Sequence, residues 1–106
     1  MAKIKTALID RDTDVSIASD RLKAMAHPLR LKILCILGSN QVTVQEIVEE
    51  CGTTQSNISQ HLGILRTKGI LNYNKEGNRV FYFIDDNRTL QLIKLMKELF
   101  CPEHSE

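Results

Sequence analysis

Between Thr54 and Gln60 the chain reads TQSNISQ, so five of the six side chains from Gln55 to Gln60 end in an amide or a small hydroxyl. An amide carries a donor and an acceptor side by side. Gln55, Asn57 and Gln60 therefore have what bidentate pairing with the major-groove edge of adenine requires, and the Ser56 and Ser59 hydroxyls suit base edges or phosphates. These groups are poor acids, bases and nucleophiles, so the chemistry they suggest is reading rather than reaction. Thr54 stands at the head of the run and His61 at its end. His61 is grouped with the readers, the alternative being a packed, hydrogen-bonded core residue. Further on, Lys75 and Arg79 flank Gly77-Asn78, where cations at a hairpin tip give salt-dependent phosphate contacts with little sequence choice. The remaining reactive groups are three thiols, Cys35, Cys51 and Cys101. In a reducing compartment a pairing between them is a transient, sensing one rather than a structural staple. There is no glycine-rich phosphate loop, no catalytic triad and no pair of carboxylates in a candidate cleft, so the residues do not support an enzyme.

The elements that hold these groups follow from periodicity. Val15, Ala18, Leu22 and Met25 recur at spacings of three, four and three, which predicts an amphipathic helix from Thr13 to about Ala26. His27-Pro28 interrupts it, and Pro28 can open a second helix at its first turn. That helix, LRLKILCIL, is apolar nearly all round and must be central. Gly38-Ser39-Asn40 ends it. Thr43 with Glu46 three residues on is a capping box for a short third helix that Gly52 stops. Only Gly-Thr-Thr separates it from a fourth, so the two cross steeply as a helix-turn-helix. Thr53 or Thr54 caps the fourth helix, and its Ile58, Leu62 and Leu65 face inward. After Gly69, ILNYNKEGNRVFYFI reads as two strands around a turn at Glu76-Gly77-Asn78. Asp85 or Asp86 caps a last helix running through Phe100, whose Leu92, Ile93, Met96, Leu99 and Phe100 make a broad apolar face, and Pro102 ends it. The fold class is therefore mainly α with a small β-hairpin, a winged helix-turn-helix in the order helix, helix, helix, helix, strand, strand, helix.

With 106 residues the chain holds one domain with one core. The expected division is a flexible segment over 1–12, a winged-helix domain for DNA binding and dimerisation over 13–101, and a tail over 102–106. A composition of 42% apolar and 25% charged residues is that of an ordinary folded protein. No apolar stretch approaches the roughly 20 residues of a membrane span, and the N-terminus lacks the apolar core of a signal peptide, so no membrane partner and a cytoplasmic location are expected. Net charge is only +1, but Asp10 to Asp20 holds four Asp against one Arg, whereas Thr53 to Ile84 carries Arg66, Lys68, Lys75 and Arg79 against Glu76. That second segment is either a phosphate-binding footprint or merely a solvated face.

The segments RLKAMAHPLRLKIL, TTQSNISQHLGILRTKGIL and NRVFYFI resemble the ArsR/SmtB family of bacterial repressors, and the resemblance covers roughly Leu22 to Phe100. The resemblance implies a homodimer paired through its first and last helices. It implies double-stranded DNA with an inverted repeat as partner, and release from DNA when an inducer arrives. Two recognition helices related by a two-fold axis would then sit about 34 Å apart, one turn of DNA. The apolar faces of the first and last helices independently ask for a partner.

Metals are the family's commonest inducers, and here the chain departs from that pattern. Where metal-responsive members carry Cys-Val-Cys on the third helix, this chain has Thr43, Val44 and Gln45. The family's last-helix zinc set falls on Asp85, Asn87, Glu98 and Cys101, with both imidazoles missing. No metal site and no cofactor are assigned; Cys101 with His104 offers only a poor metal site. Cys35 on the second helix and Cys101 at the end of the last resemble the family's thiol-switch branch, in which one cysteine from each of those helices is joined by a disulfide or polysulfide bridge. A reactive pair of this kind should expose at least one thiol with a lowered pKa. A helix C-terminus disfavours a thiolate, which casts Cys101 as the resolving partner. Cys51, beside Gly52, is assigned a structural role. The alternatives are a metal- or metalloid-responsive repressor using Cys101 with other C-terminal groups, and a non-enzymatic winged helix that binds protein.

Overall fold

The computed structural model describes residues 7–101. The first half of the proposed N-terminal segment, Pro102, His104 and the rest of the proposed tail lie outside the described residues. The chain forms α1 (Asp12–Met25), α2 (Pro28–Leu37), β1 (Val42–Thr43), α3 (Val44–Cys51), α4 (Gln55–Thr67), β2 (Leu71–Glu76), β3 (Arg79–Ile84) and α5 (Asn87–Phe100). The helix boundaries follow the expected start and stop residues. His27 has extended backbone and its Nδ1 accepts the Leu29 N–H at 3.1 Å, so Pro28 enters the helix where its missing donor costs nothing. The Thr43 and Glu46 side chains each accept the other's backbone N–H, at 3.2 and 3.0 Å, which completes the capping box.

The expected hairpin is present, and its register runs from Leu71 opposite Ile84 to Glu76 opposite Arg79. Gly77 turns it with φ +62°, the positive value that a type II′ turn asks of its first central residue. One strand was not foreseen. Val42 and Thr43 pair antiparallel with Tyr82 and Phe81, making a three-stranded sheet in the order β1-β3-β2. A two-residue strand has no periodicity to betray it, and Thr43 both caps α3 and joins the sheet.

The core is centred on α2, as its all-round apolar character demands. Ile33, Leu34 and Leu37 of α2, Ile47 of α3, and Ile58, Leu62 and Leu65 of α4 are wholly inaccessible to solvent. The two ends of the chain behave differently. On α5 only Ile93 is buried, while Leu95, Leu99 and Phe100 are 49%, 63% and 77% exposed. On α1 only Ala24 and Met25 are buried, and Val15, Ile17 and Leu22 stay in solvent. The apolar faces expected there exist, but one copy does not cover them. Among the described residues no helix is long and apolar enough to cross a membrane.

Candidate nucleic-acid interface and thiol groove

Three residues, Gly52 to Thr54, join α3 to α4, and Gly52 supplies the left-handed turn with φ +67°. Thr54 then caps α4 by accepting the Asn57 N–H at 3.1 Å. With Ile58, Leu62 and Leu65 buried, Gln55, Ser56, Ser59 and Gln60 are left exposed together around the helix's first two turns. The unpaired amides and positive dipole of a helix N-terminus favour phosphate there. Asn57 is placed differently. It is half-buried, and its Nδ2 donates to Thr53 Oγ1 at 3.2 Å, so one of the donors assigned to base reading is engaged in holding the turn. Gly63 lies on the exposed side of α4, and a Cβ built there meets nothing within 4 Å. Gly63→Ala is therefore expected to stabilise the helix by about 1 kcal/mol. Thermal melting should show a rise of about 4–8 °C.

His61 departs from its grouping with the readers. Its ring is half-buried, lies 4.6 Å from the His27 ring at an interplanar angle of 37°, and its Nδ1 is 3.3 Å from Arg30 Nη1. Its position three residues after buried Ile58 turns it toward the start of α2, and the sequence run of polar tips concealed that change of face. Burial, then the charges of His27 and Arg30, hold its pKa below the ordinary 6.5. The unfolded chain therefore binds the His61 proton at a higher pH than the folded one. Its contribution to stability is complete above the ordinary histidine value and is lost as pH falls through the lowered folded one. Melting temperature should fall between pH 7 and pH 5, and fall less in His61→Gln; equal acid sensitivity in the two proteins would rule this group out.

In the wing, Lys75 and Arg79 are exposed, and the Arg79 guanidinium stands 5.3 Å above the Phe81 ring, which steadies it near the hairpin tip. Arg66, near the end of α4, lies 4.4 Å over the Tyr73 ring of β2. Lys68 is paired with Asp20 of α1 at 3.0 Å, so one of the four cations between Thr53 and Ile84 already has a counter-charge within the protomer. That pairing joins positions 48 residues apart and leaves no local trace in the sequence.

Cys35 and Cys101 are both free and exposed, and both line one apolar groove of about 340 Å³ between α2 and α5, walled by Leu34, Ile93, Met96 and Phe100. The exposure agrees with what a reactive pair needs. The expectation of a lowered pKa does not hold for Cys35: burial by the groove walls, then the neighbouring Cys101, push its thiol above the ordinary 9.0, against the opposing charge of Lys97. Cys51 is half-buried against the core, and its thiol is raised first by burial, with Glu50 adding and Lys32 opposing.

Residues 27–73 match the family described as bacterial regulatory protein, arsR family. The chain is similar to the transcriptional activator HlyU of Vibrio cholerae, 41% identical over 80 residues that cover 76% of this chain and 74% of the relative. It is also similar to the biofilm growth-associated repressor of Agrobacterium fabrum, 34% identical over 100 residues that cover 93% of this chain and 83% of that protein. Among solved structures, reduced HlyU from Vibrio cholerae superposes with a TM-score of 0.80 at 38% identity, covering 85% of this chain and 95% of the other.

Proposed function

The chain belongs to the arsR family of bacterial regulatory proteins, DNA-binding transcriptional regulators rather than enzymes, and from that premise we propose that it is a dimeric, cytoplasmic repressor released from an inverted-repeat operator when Cys35 and Cys101 are joined. The observation that carries this reading is the shared groove: two exposed thiols, 66 positions apart in the sequence, open on one apolar cleft between the central helix and α5. The exposed faces of α1 and α5 supply the dimer. Two copies of α4 about 34 Å apart then enter successive major grooves, with Lys75 and Arg79 on the adjoining backbone. A bridge between α2 and α5 ties the scaffold of the reading helix to the dimerisation helix and changes that separation.

The chemistry balances with a persulfide as oxidant. A thiolate of the pair attacks the outer sulfur of RSSH, RS⁻ leaves and takes a proton, and the cysteine becomes Cys–SSH. The second thiolate attacks the cysteine's own sulfur and expels HS⁻, which leaves as H₂S. Two thiols and one persulfide thus give one disulfide, one RSH and one H₂S, and a further equivalent of persulfide lengthens the bridge. Because the Cys35 thiol is raised, the thiolate fraction and hence bridging should increase from pH 7 to pH 9.

The relatives include an activator and a repressor, so the direction of regulation is part of the proposal. The deciding experiment is operator binding by reduced and persulfide-treated protein, with the mass of the Cys35–Cys101 linkage determined in parallel. Wild-type protein is expected to lose operator affinity on treatment and Cys35→Ser to keep it. A Cys35→Ser protein that still lets go of DNA on treatment contradicts the switch.

A further inference from the structure

We propose that Arg30 is the positioning residue through which the thiol groove acts on the recognition helix, a reading that rests on the cysteine switch above. Its guanidinium spans three elements. Nε donates to the Ala24 carbonyl near the end of α1 at 2.6 Å, and Nη1 reaches His61 Nδ1 on α4 at 3.3 Å. Arginine carries no acceptor, so His61 Nδ1 must accept and hold no proton of its own. The His27 ring backs this contact at 4.6 Å, its own Nδ1 already spent on capping α2. His61 directly follows Gln60, one of the exposed amides, so what moves His61 moves the reading face.

The other end of the lever is Cys35. It lies five residues beyond Arg30 on the same helix, an axial rise of about 7.5 Å. Ile33, Leu34 and Leu37 are wholly buried between them and beyond, so α2 shifts as a body rather than bending, as close-packed interiors require. A pull on Cys35 from Cys101 therefore arrives at Arg30, and Arg30 is held to the two elements that a repressor must keep in register: the end of α1, whose exposed face seeks a partner, and the helix that faces DNA. A lysine does not reproduce this pair of bonds, because its single nitrogen cannot stand both where Nε meets the Ala24 carbonyl and where Nη1 meets His61.

The test is the ratio of operator affinities in reduced and Cys35–Cys101-bridged protein, measured for wild type, Arg30→Lys, His61→Phe and His61→Asn, with the bridge verified by mass in each. The wild-type ratio is expected to be at least about tenfold, within the ordinary range of coupling between two sites. In Arg30→Lys and His61→Phe it should drop below about threefold although the bridge forms as before. His61→Asn, which places an oxygen acceptor close to where Nδ1 stands, should recover most of the wild-type ratio. A merely structural Arg30 would lower both affinities together and leave the ratio alone. If Arg30→Lys does not fold, the contrast between His61→Phe and His61→Asn decides. A full wild-type ratio retained in the folded variants overturns the role of Arg30 alone, whereas a bridged wild type with undiminished affinity overturns it together with the switch.

Discussion

Glutamate at both Leu95 and Leu99 is expected to turn the protein into a folded monomer whose operator affinity is lower by about 10²–10⁴-fold, the advantage a linked second half-site ordinarily confers. Neither side chain belongs to the core of the protomer: Leu95 is 49% and Leu99 63% exposed, whereas Ile93 on the opposite side of α5 is 7% exposed. Charges at these two positions leave the interior untouched, so circular dichroism and the presence of a cooperative melt should be preserved. What they remove is the apolar surface that a second copy would cover, about 1.5–3 kcal/mol for each leucine fully buried, with two such sets in a two-fold dimer. Burying an unpaired carboxylate there costs more still. Sedimentation equilibrium measures the first effect and titration of an inverted-repeat duplex the second. A double variant that sediments as a dimer would place the subunit contact elsewhere.

The helix-turn-helix was legible because each of its parts carries its own local signal. The Thr43–Glu46 capping box, Gly52 at the left-handed stop and Thr54 at the next cap announce two short helices with almost no linker. The wing was legible for the same reason: Gly77 sits at a two-residue turn that leads into the aromatic, β-branched run Arg79–Ile84. What stayed hidden depends on long-range partners. Lys68 looks like a free cation until Asp20 of α1 is found beside it. His61 looks like a continuation of the polar run until the helix turns it onto Arg30. Asn57 has the right group for base reading, but Thr53, four residues before it, takes one of its donors. The thiols show both sides of this. Their helices were evident, whereas the groove they share, and the desolvation that raises Cys35, depend on where α5 is set across from α2.

If α4 reads base edges and the wing holds phosphates, as proposed, a second large effect is expected. Gln55→Ala with Gln60→Ala is expected to reduce discrimination between operator and random duplex by about 5- to 150-fold for each glutamine that pairs bidentately, since one such pair contributes about 1–3 kcal/mol of base preference. Binding to random DNA should barely change, because these exposed amides carry no charge. Lys75→Ala with Arg79→Ala is expected to do the reverse. It weakens operator and random duplex alike, and it lowers the slope of log affinity against log salt by about 0.9 for each phosphate left without its cation, or about 1.8 per subunit for the pair. Filter binding or anisotropy on both duplexes at several salt concentrations separates the outcomes. The contrast follows from chemistry visible in the fold: the amides of α4 offer directional pairs that only the right base edge satisfies, whereas the cations of the wing, one of them resting on Phe81, offer a charge that any backbone accepts. If the two double variants instead lose affinity and preference in the same proportion, helix and wing do not divide the work, and the amide-tipped turn from Thr54 to Gln60 is a solvated surface and not a reader.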